Sequence, residues 1–109
     1  MAWKAILRAG GLAPAEKLLD VRLATDDGFL IALRLWGVPE PVPPARHRFK
    51  YALFYGRPGE RLVLFDNERG KGDHKHILGV ESPYEFSTPE QLVADFEAAV
   101  SAVRAGDKG

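Results

Sequence analysis

Cysteine is absent from the 109 residues, and long apolar runs are also missing. Without cysteine there are no disulfide bonds and no thiolate-bound zinc, which fits a reducing cytoplasm. No apolar run approaches the roughly 20 residues that a membrane helix needs. The longest, 29–36, is interrupted by Arg34. The basic residues near the N-terminus are not followed by the apolar stretch of a secretory signal. We therefore expect a cytoplasmic protein with no membrane partner.

The chain also has no excess of charge of either sign, since 15 Lys and Arg residues balance 15 Asp and Glu residues. Long-range attraction to a polyanion is therefore not built into the whole molecule. A nucleic-acid interface would have to rest on a local basic patch. The hydrophobic content of 46% is ordinary for a soluble globular protein. The length suits one domain, so we expect a single domain over 1–109.

Alternating apolar and polar residues predict several short strands. The pattern is clear over 17–25, 29–38, 47–55 and 61–65, and a short strand over 77–80 is expected to pair back. In the third of these, Phe49, Tyr51, Leu53 and Tyr55 share one face, whereas Arg48 and Lys50 share the other.

Sequence breakers separate these strands. A tight turn is expected at 26–28, and four prolines between 39 and 44 exclude regular pairing there. The segment 1–16 is expected to vary: residues 2–9 leave helix and strand open, and 10–16 looks like an inserted loop.

The C-terminal part predicts a helix over 87–105. Thr88 suits the cap, Pro89 suits the first helical position, and Gln91 would complete a capping box. Apolar residues then recur at helical spacing until Gly106. The fold class expected from these elements is α+β: a twisted antiparallel meander of four to six strands with the C-terminal helix packed on one face.

The segment 66–76 concentrates reactive groups. Its eleven residues, DNERGKGDHKH, include no large apolar side chain but hold three acids, three permanent cations and two of the three histidines. We expect residues 67–76 to form a loop or hairpin tip after the fourth strand, which ends at Asp66. General acids, general bases, phosphate contacts and metal ligands could all be drawn from it.

His74 and His76 are the predicted proton carriers. If this stretch is extended, both side chains point to the same side. One imidazole would take the proton of a ribose 2′-hydroxyl and the other would protonate the leaving oxygen, without a metal ion. A solvated hairpin with two chance histidines is the alternative interpretation.

The cations of this segment suit phosphate. Arg69 and Lys71 could stabilise the developing phosphorane, so we include them in the predicted catalytic set. Lys75 would bind the substrate backbone, and Arg48 with Lys50 could extend a basic groove. Surface cations are also common without any such role.

The acids leave two interpretations open. Asp66 is expected where the fourth strand leaves the core, a suitable place for a rigidly held catalytic carboxylate. It could instead hold Mg²⁺ or Mn²⁺ together with Glu68, Asp73 and a histidine, since hard cations prefer carboxylate oxygen. Asn67 could contact a phosphate or a base, or form a turn with the neighbouring backbone. We favour the metal-independent set and predict no cofactor.

The polar segment and its flanks resemble the TumE family of toxins from bacterial toxin–antitoxin pairs. The resemblance extends over roughly 17–104, whereas 10–16 departs from the family pattern. It rests on the following pieces: DNERGKGDHKH at 66–76, WGVP at 36–39, FKY at 49–51, PYEF at 83–86 and LVADF at 92–96.

The resemblance implies a growth-inhibiting toxin encoded beside its antitoxin. Together with the histidine-bearing segment, it predicts a small ribonuclease whose partners are a cognate antitoxin and RNA, and a homodimer is compatible with it. Three alternatives stay open: a non-catalytic module that binds nucleic acid, ribosome or protein, a Mg²⁺-dependent nuclease, and a structural interaction protein.

Overall fold

The computed structural model describes residues 15–106, which form six strands and one helix. The expectations for 2–9 and for most of 10–16 lie outside the described residues. The elements are β1 (Glu16–Ala24), β2 (Leu30–Gly37), β3 (Phe49–Arg57), β4 (Glu60–Glu68), β5 (Gly72–Ile77), β6 (Val80–Pro83) and α1 (Pro89–Arg104).

The six strands form one antiparallel sheet in the order β1-β2-β3-β4-β5-β6, so each strand pairs with its neighbour in the chain. Helix α1 packs on one side of the sheet, over β3 and β4. We call that side the core face and the opposite side the open face. This architecture confirms the predicted α+β meander with a C-terminal helix. Between residues 15 and 106, no helix is long and apolar enough to cross a membrane.

The core face follows from the alternation of apolar residues along the strands. Paired residues of an antiparallel sheet share a face, so the register aligns the buried side chains of β3 and β4 in rows. Phe65 meets Phe96 of the helix edge-on, with ring centroids 5.8 Å apart. The buried core consists of Leu35, Tyr51, Leu53, Tyr55, Val63, Phe65, Leu92, Phe96 and Val100.

Helix α1 begins and ends close to where the sequence indicates. Thr88 is the cap, and its Oγ1 accepts a hydrogen bond of 3.0 Å from the backbone N–H of Gln91. The side chain of Gln91 donates to Asp95 at 2.8 Å, so the reciprocal half of the expected capping box is not formed. Gly106 follows the helix with a φ of +84°, a conformation that favours glycine.

The hairpin of β4 and β5 differs from the expectation. Strand β4 continues to Glu68 and β5 starts at Gly72, so only 69–71 form the turn, where a loop over 67–76 was expected. The return strand begins at Val80, after a turn at 78–79. Polar residues extend these strands because the open face does not have to be apolar. Asp66 therefore lies within a strand, not at its end.

The proline-rich loop between β2 and β3 supports this hairpin. The carbonyl oxygen of Pro43 accepts a hydrogen bond of 2.9 Å from the backbone N–H of Gly70. Gly72 is buried with a φ of +76°, and a Cβ placed there would lie 3.1 Å from Cγ of Pro44. The loop thus holds the turn and the first residue of β5 from the side, which fixes the start of the histidine-bearing strand.

Candidate reaction centre on the open face

Two histidines and one aspartate meet on the open face. The register pairs Asp66 with His74 and Leu64 with His76, so these side chains lie on the side of the sheet away from α1. The two imidazole rings are edge-on, with centroids 5.1 Å apart. One donor atom from each of Asp66, His74 and His76 lies within 4.8 Å of the others. The hairpin therefore gathers three reactive groups in one place.

His74 is held by both of its ring nitrogens. Nδ1 lies 2.8 Å from the carbonyl oxygen of Gly72, to which an N–H at this position donates. Nε2 lies 2.6 Å from Oδ1 of Asp66. Both nitrogens thus face oxygens, and a neutral ring has only one N–H. A proton on either atom, or another cation, would satisfy the contact between Nε2 and the carboxylate.

Oδ1 of Asp66 is shielded from solvent and has no hydrogen-bond partner. The contact with His74 is close enough for an ion pair but is not aligned as a hydrogen bond. Buried polar atoms normally have a partner, because leaving one without costs free energy. Asp66 thus differs from an ordinary surface carboxylate, because one of its oxygens is buried beside two imidazoles.

Glu81 of β6 completes the centre. Its Oε2 lies 3.9 Å from Nε2 of His74, 4.0 Å from Nε2 of His76 and 3.1 Å from Nζ of Lys71. The hydrogen bond between Lys71 and Glu81 raises the pKa of the ammonium and lowers the pKa of the carboxyl. A shallow depression above this group is lined by Lys71, Asp73, His74, Glu81, Ser82 and Pro83. One carboxylate oxygen thus sits within reach of two imidazoles and an ammonium group.

Sequence reasoning missed both Glu81 and Arg61. Glu81 is the register partner of His76, and Nη2 of Arg61 lies 3.4 Å from Nδ1 of His76. Glu81 was missed because the turn at Leu78 and Gly79 was not recognised in the sequence. With that turn assigned, the pairing of β5 and β6 places Glu81 opposite His76.

Asp73 lies on the core face, away from the centre. Its Oδ1 accepts hydrogen bonds from the hydroxyl of Tyr51 at 2.6 Å and from Nε2 of His47 at 2.8 Å. Burial and the neighbouring carboxylate raise the pKa of Tyr51. Glu68 is exposed at the end of β4. The alternative metal set of Asp66, Glu68 and Asp73 is therefore not brought together.

Asn67 is fully buried and bonds the backbone of β3. Its Oδ1 accepts from the N–H of Tyr51 at 3.0 Å, and its Nδ2 donates to the carbonyl of Phe49 at 2.7 Å. The side chain thus joins β3 to β4 beyond the last residue pair of their register, Ala52 with Asp66. These contacts place Asn67 in the framework behind the centre.

The predicted cations are distributed over several places. Lys71 borders the centre through Glu81, and Lys50 is exposed on the open face, two residues before the strand partner of Asp66. Lys75 pairs with Phe65 and therefore lies on the core face. Arg69 is exposed in the turn between β4 and β5, and Arg48 is exposed just before β3. Of these predicted cations, Lys71 alone is in contact with a side chain of the centre among the described residues, and that side chain is the carboxylate of Glu81.

Comparison with known proteins gives one match. The sequence model of the family described as toxin TumE covers residues 13–104, which include the whole sheet, the helix and every residue of the centre. No curated protein and no solved structure matches significantly. Because the family match extends over most of its length, the chain belongs to the TumE family of toxins.

Proposed function

We propose that this chain is the toxin of a bacterial toxin–antitoxin pair and inhibits growth by cleaving RNA in the cytoplasm. The observation that carries the proposal is the pair of edge-on imidazoles of His74 and His76 on the open face, beside the orphaned oxygen of Asp66. Two proton carriers at this spacing fit one phosphodiester, because the attacking and leaving oxygens are both bonded to one phosphorus atom in the transition state. The family match supports the toxin role.

The proposed reaction needs one base and one acid. His76 takes the proton of a ribose 2′-hydroxyl, and the freed oxygen attacks the adjacent phosphorus. The bond from phosphorus to the 5′-oxygen breaks, and His74 gives its Nε2 proton to that oxygen. Asp66 stabilises the imidazolium form of His74. The products are a 2′,3′-cyclic phosphate and a 5′-hydroxyl, so all atoms and protons balance.

Lys71 and Glu81 prepare the binding of the phosphate. Oε2 of Glu81 lies near both Nε2 atoms and near the Lys71 ammonium, as a phosphate oxygen would. Glu81 is on the surface, with 44% of its side chain exposed, so it has room to move aside. Substrate phosphate then replaces the carboxylate, and Lys71 stabilises the negative charge of the transition state.

The open face offers a path for the rest of the RNA. Arg34 and Lys50 are both exposed on β2 and β3. Arg34 stands in one row with Ala52, Asp66 and His74, as the registers of three strand pairs show. A backbone that crosses the strands along this row would bring one phosphate to the centre while cations contact its neighbours. An antitoxin that covers this face would silence the toxin.

The test combines growth with product chemistry. Wild type, His74→Asn and His76→Asn are expressed from an inducible promoter, with Lys75→Gln on the core face as the matched control. We expect growth arrest and RNA fragmentation with wild type and control, and neither with the histidine variants. Purified wild type should cleave an oligonucleotide with a single ribonucleotide and leave its 2′-O-methyl counterpart intact.

Three outcomes would overturn the proposal. Cleavage of the 2′-O-methyl substrate, or loss of cleavage on addition of EDTA, would replace acid–base catalysis with a metal-dependent mechanism. Toxicity that persists in both histidine variants while RNA stays intact would favour the non-catalytic binding module.

A further inference from the structure

We infer that Asp66, His74 and His76 form a binding site for a transition-metal ion of the Zn²⁺ class, with Glu81 as a fourth donor. The inference does not rest on the proposed RNA cleavage: an ion bound here would occupy imidazole nitrogens that carry protons in that reaction, so bound Zn²⁺ is expected to inhibit cleavage. The inference rests on two independent observations: the compact donor set, and the buried oxygen of Asp66 that has no hydrogen-bond partner.

The orientation of His74 is that of a metal ligand. Histidines that bind metal ions commonly donate their other ring N–H to a backbone carbonyl, which fixes the tautomer and aims the lone pair. Nδ1 of His74 has this contact with Gly72 at 2.8 Å. Gly72 is itself held by the proline-rich loop, so the direction of Nε2 is set before any ion arrives.

The spacing of the donors fits one ion with little adjustment. Zn²⁺ binds nitrogen and oxygen at about 2.0–2.2 Å, so two ligands of a tetrahedral ion are roughly 3.3 Å apart. Oε2 of Glu81 is 3.9 and 4.0 Å from the two Nε2 atoms, and Oδ1 of Asp66 is 2.6 Å from His74. These three separations change by less than about 1 Å on binding, and the donor atoms of Asp66, His74 and His76 all lie within 4.8 Å of one another, a spacing that side-chain rotation can close.

The chemistry of the donors selects the ion. Two imidazoles and two carboxylates suit Zn²⁺, whereas Mg²⁺ prefers an all-oxygen environment with several waters. The ion would also remove the conflict at His74. A divalent cation between Nε2 and the carboxylate satisfies both atoms while the ring remains neutral. Cysteine is absent from the sequence, so no thiolate competes for the ion.

Binding to the full-length protein, freed of any histidine tag, tests the inference. Zn²⁺ is titrated by calorimetry and in competition with a chromogenic chelator, and Co²⁺ is added separately as a spectroscopic probe. We expect one Zn²⁺ per chain with micromolar or tighter affinity, little competition from millimolar Mg²⁺, and the intense visible absorption of tetrahedral Co²⁺.

Variants assign the site. His74→Gln, His76→Gln and Asp66→Asn are each expected to weaken Zn²⁺ binding at least tenfold and to abolish the Co²⁺ absorption. His47→Gln removes a histidine on the other side of the sheet and is expected to keep both signals. Circular dichroism tests whether each variant is folded. If a variant is unfolded, the Co²⁺ spectrum of the wild type still tests the inference.

Stoichiometry that is unchanged by the three site variants, or a wild type with no Co²⁺ absorption, would overturn the inference. RNA cleavage plays no part in these readouts. Failure of the metal site and failure of the proposed function are therefore distinguishable.

Discussion

Asp66 and Asp73 belong to the same hairpin but lie on opposite faces of the sheet. Asp66 is paired with His74 and contacts its Nε2 at 2.6 Å on the open face. Asp73 accepts hydrogen bonds from Tyr51 and His47 on the core face. Two carboxylates a few residues apart in the chain thus have separate surroundings. The same substitution at each position therefore distinguishes an effect on the proposed reaction from an effect on the stability of the fold.

We expect Asp66→Asn to lower RNA cleavage by about 10²-fold or more, because the imidazolium of His74 loses its counter-charge. The free energy of unfolding should change little. Asp73→Asn should instead lower that free energy by about 2 kcal/mol, because its two donors lose a charged acceptor. Single-turnover cleavage and urea unfolding measure the two effects. If a folded Asp73→Asn variant fails to cleave RNA, Asp73 takes part in the reaction, which contradicts its assignment to the framework.

The turn of this hairpin offers a second matched pair. Gly70 and Gly72 both have positive φ, but only a Cβ at Gly72 would meet another residue, Pro44 at 3.1 Å. Gly70→Ala should cost about 1–2 kcal/mol of stability from backbone strain alone. Gly72→Ala should cost more and should also slow cleavage, because displacing Gly72 moves the carbonyl that orients His74.

Thermal unfolding and cleavage rates of the two alanine variants check this expectation. Equal loss of stability in both variants, with equal cleavage by the folded protein, would show that the proline-rich loop does not position the centre.

Glu81→Gln should change the affinity for RNA and the affinity for Zn²⁺ in opposite directions. Removing the carboxylate frees Lys71 and both imidazoles for phosphate, so we expect tighter RNA binding and a lower KM. The same change removes a charged donor, so Zn²⁺ should bind more weakly. Fluorescence anisotropy with a 2′-O-methyl RNA and a Zn²⁺ titration give the two affinities. Weaker RNA binding by Glu81→Gln would mean that Glu81 does not stand in the place of phosphate.

Tyr51 makes the free energy of unfolding depend on pH in the alkaline range. Burial and the hydrogen bond to Asp73 raise its pKa, so the folded chain keeps a proton that the unfolded chain loses above about pH 10. The contribution of this group to the free energy of unfolding should therefore be complete at neutral pH and independent of pH there. It should fall by up to about 1.4 kcal/mol per pH unit above pH 10.

Tyr51→Phe should reduce this slope while costing about 1 kcal/mol at neutral pH. Urea unfolding between about pH 8 and pH 11 measures it. Tyr84→Phe should also reduce the slope, because burial and Asp95 raise the pKa of Tyr84. If the free energy of unfolding has the same dependence on pH in the wild type and both variants, the expectation is contradicted.

The faces of the strands were predictable from the sequence because alternation is a local property. Tyr51, Leu53 and Tyr55 recur at every second position, and in the structure all three are buried in the core. The same rule placed His74 and His76 on one side. The beginning of the helix at Thr88 was predictable for a similar reason, since the cap depends on the next three residues.

The extent of the central hairpin was not predictable in this way. A strand made of charged residues has the composition of a loop, and what keeps it extended is its partner strand. Asn67 shows this best. Its side chain bonds the backbone of β3 at Phe49 and Tyr51, which no local pattern reveals. Glu81 was missed because its position opposite His76 depends on a turn with weak sequence signals.

The order of the strands has a consequence for synthesis. Since every strand pairs with its neighbour in the chain, each hairpin is able to close as soon as its second strand has left the ribosome. The proposed catalytic groups are complete once β6 emerges, while the helix that covers the hydrophobic side is made last. We expect the nascent polypeptide to display its reactive surface before it is fully stable.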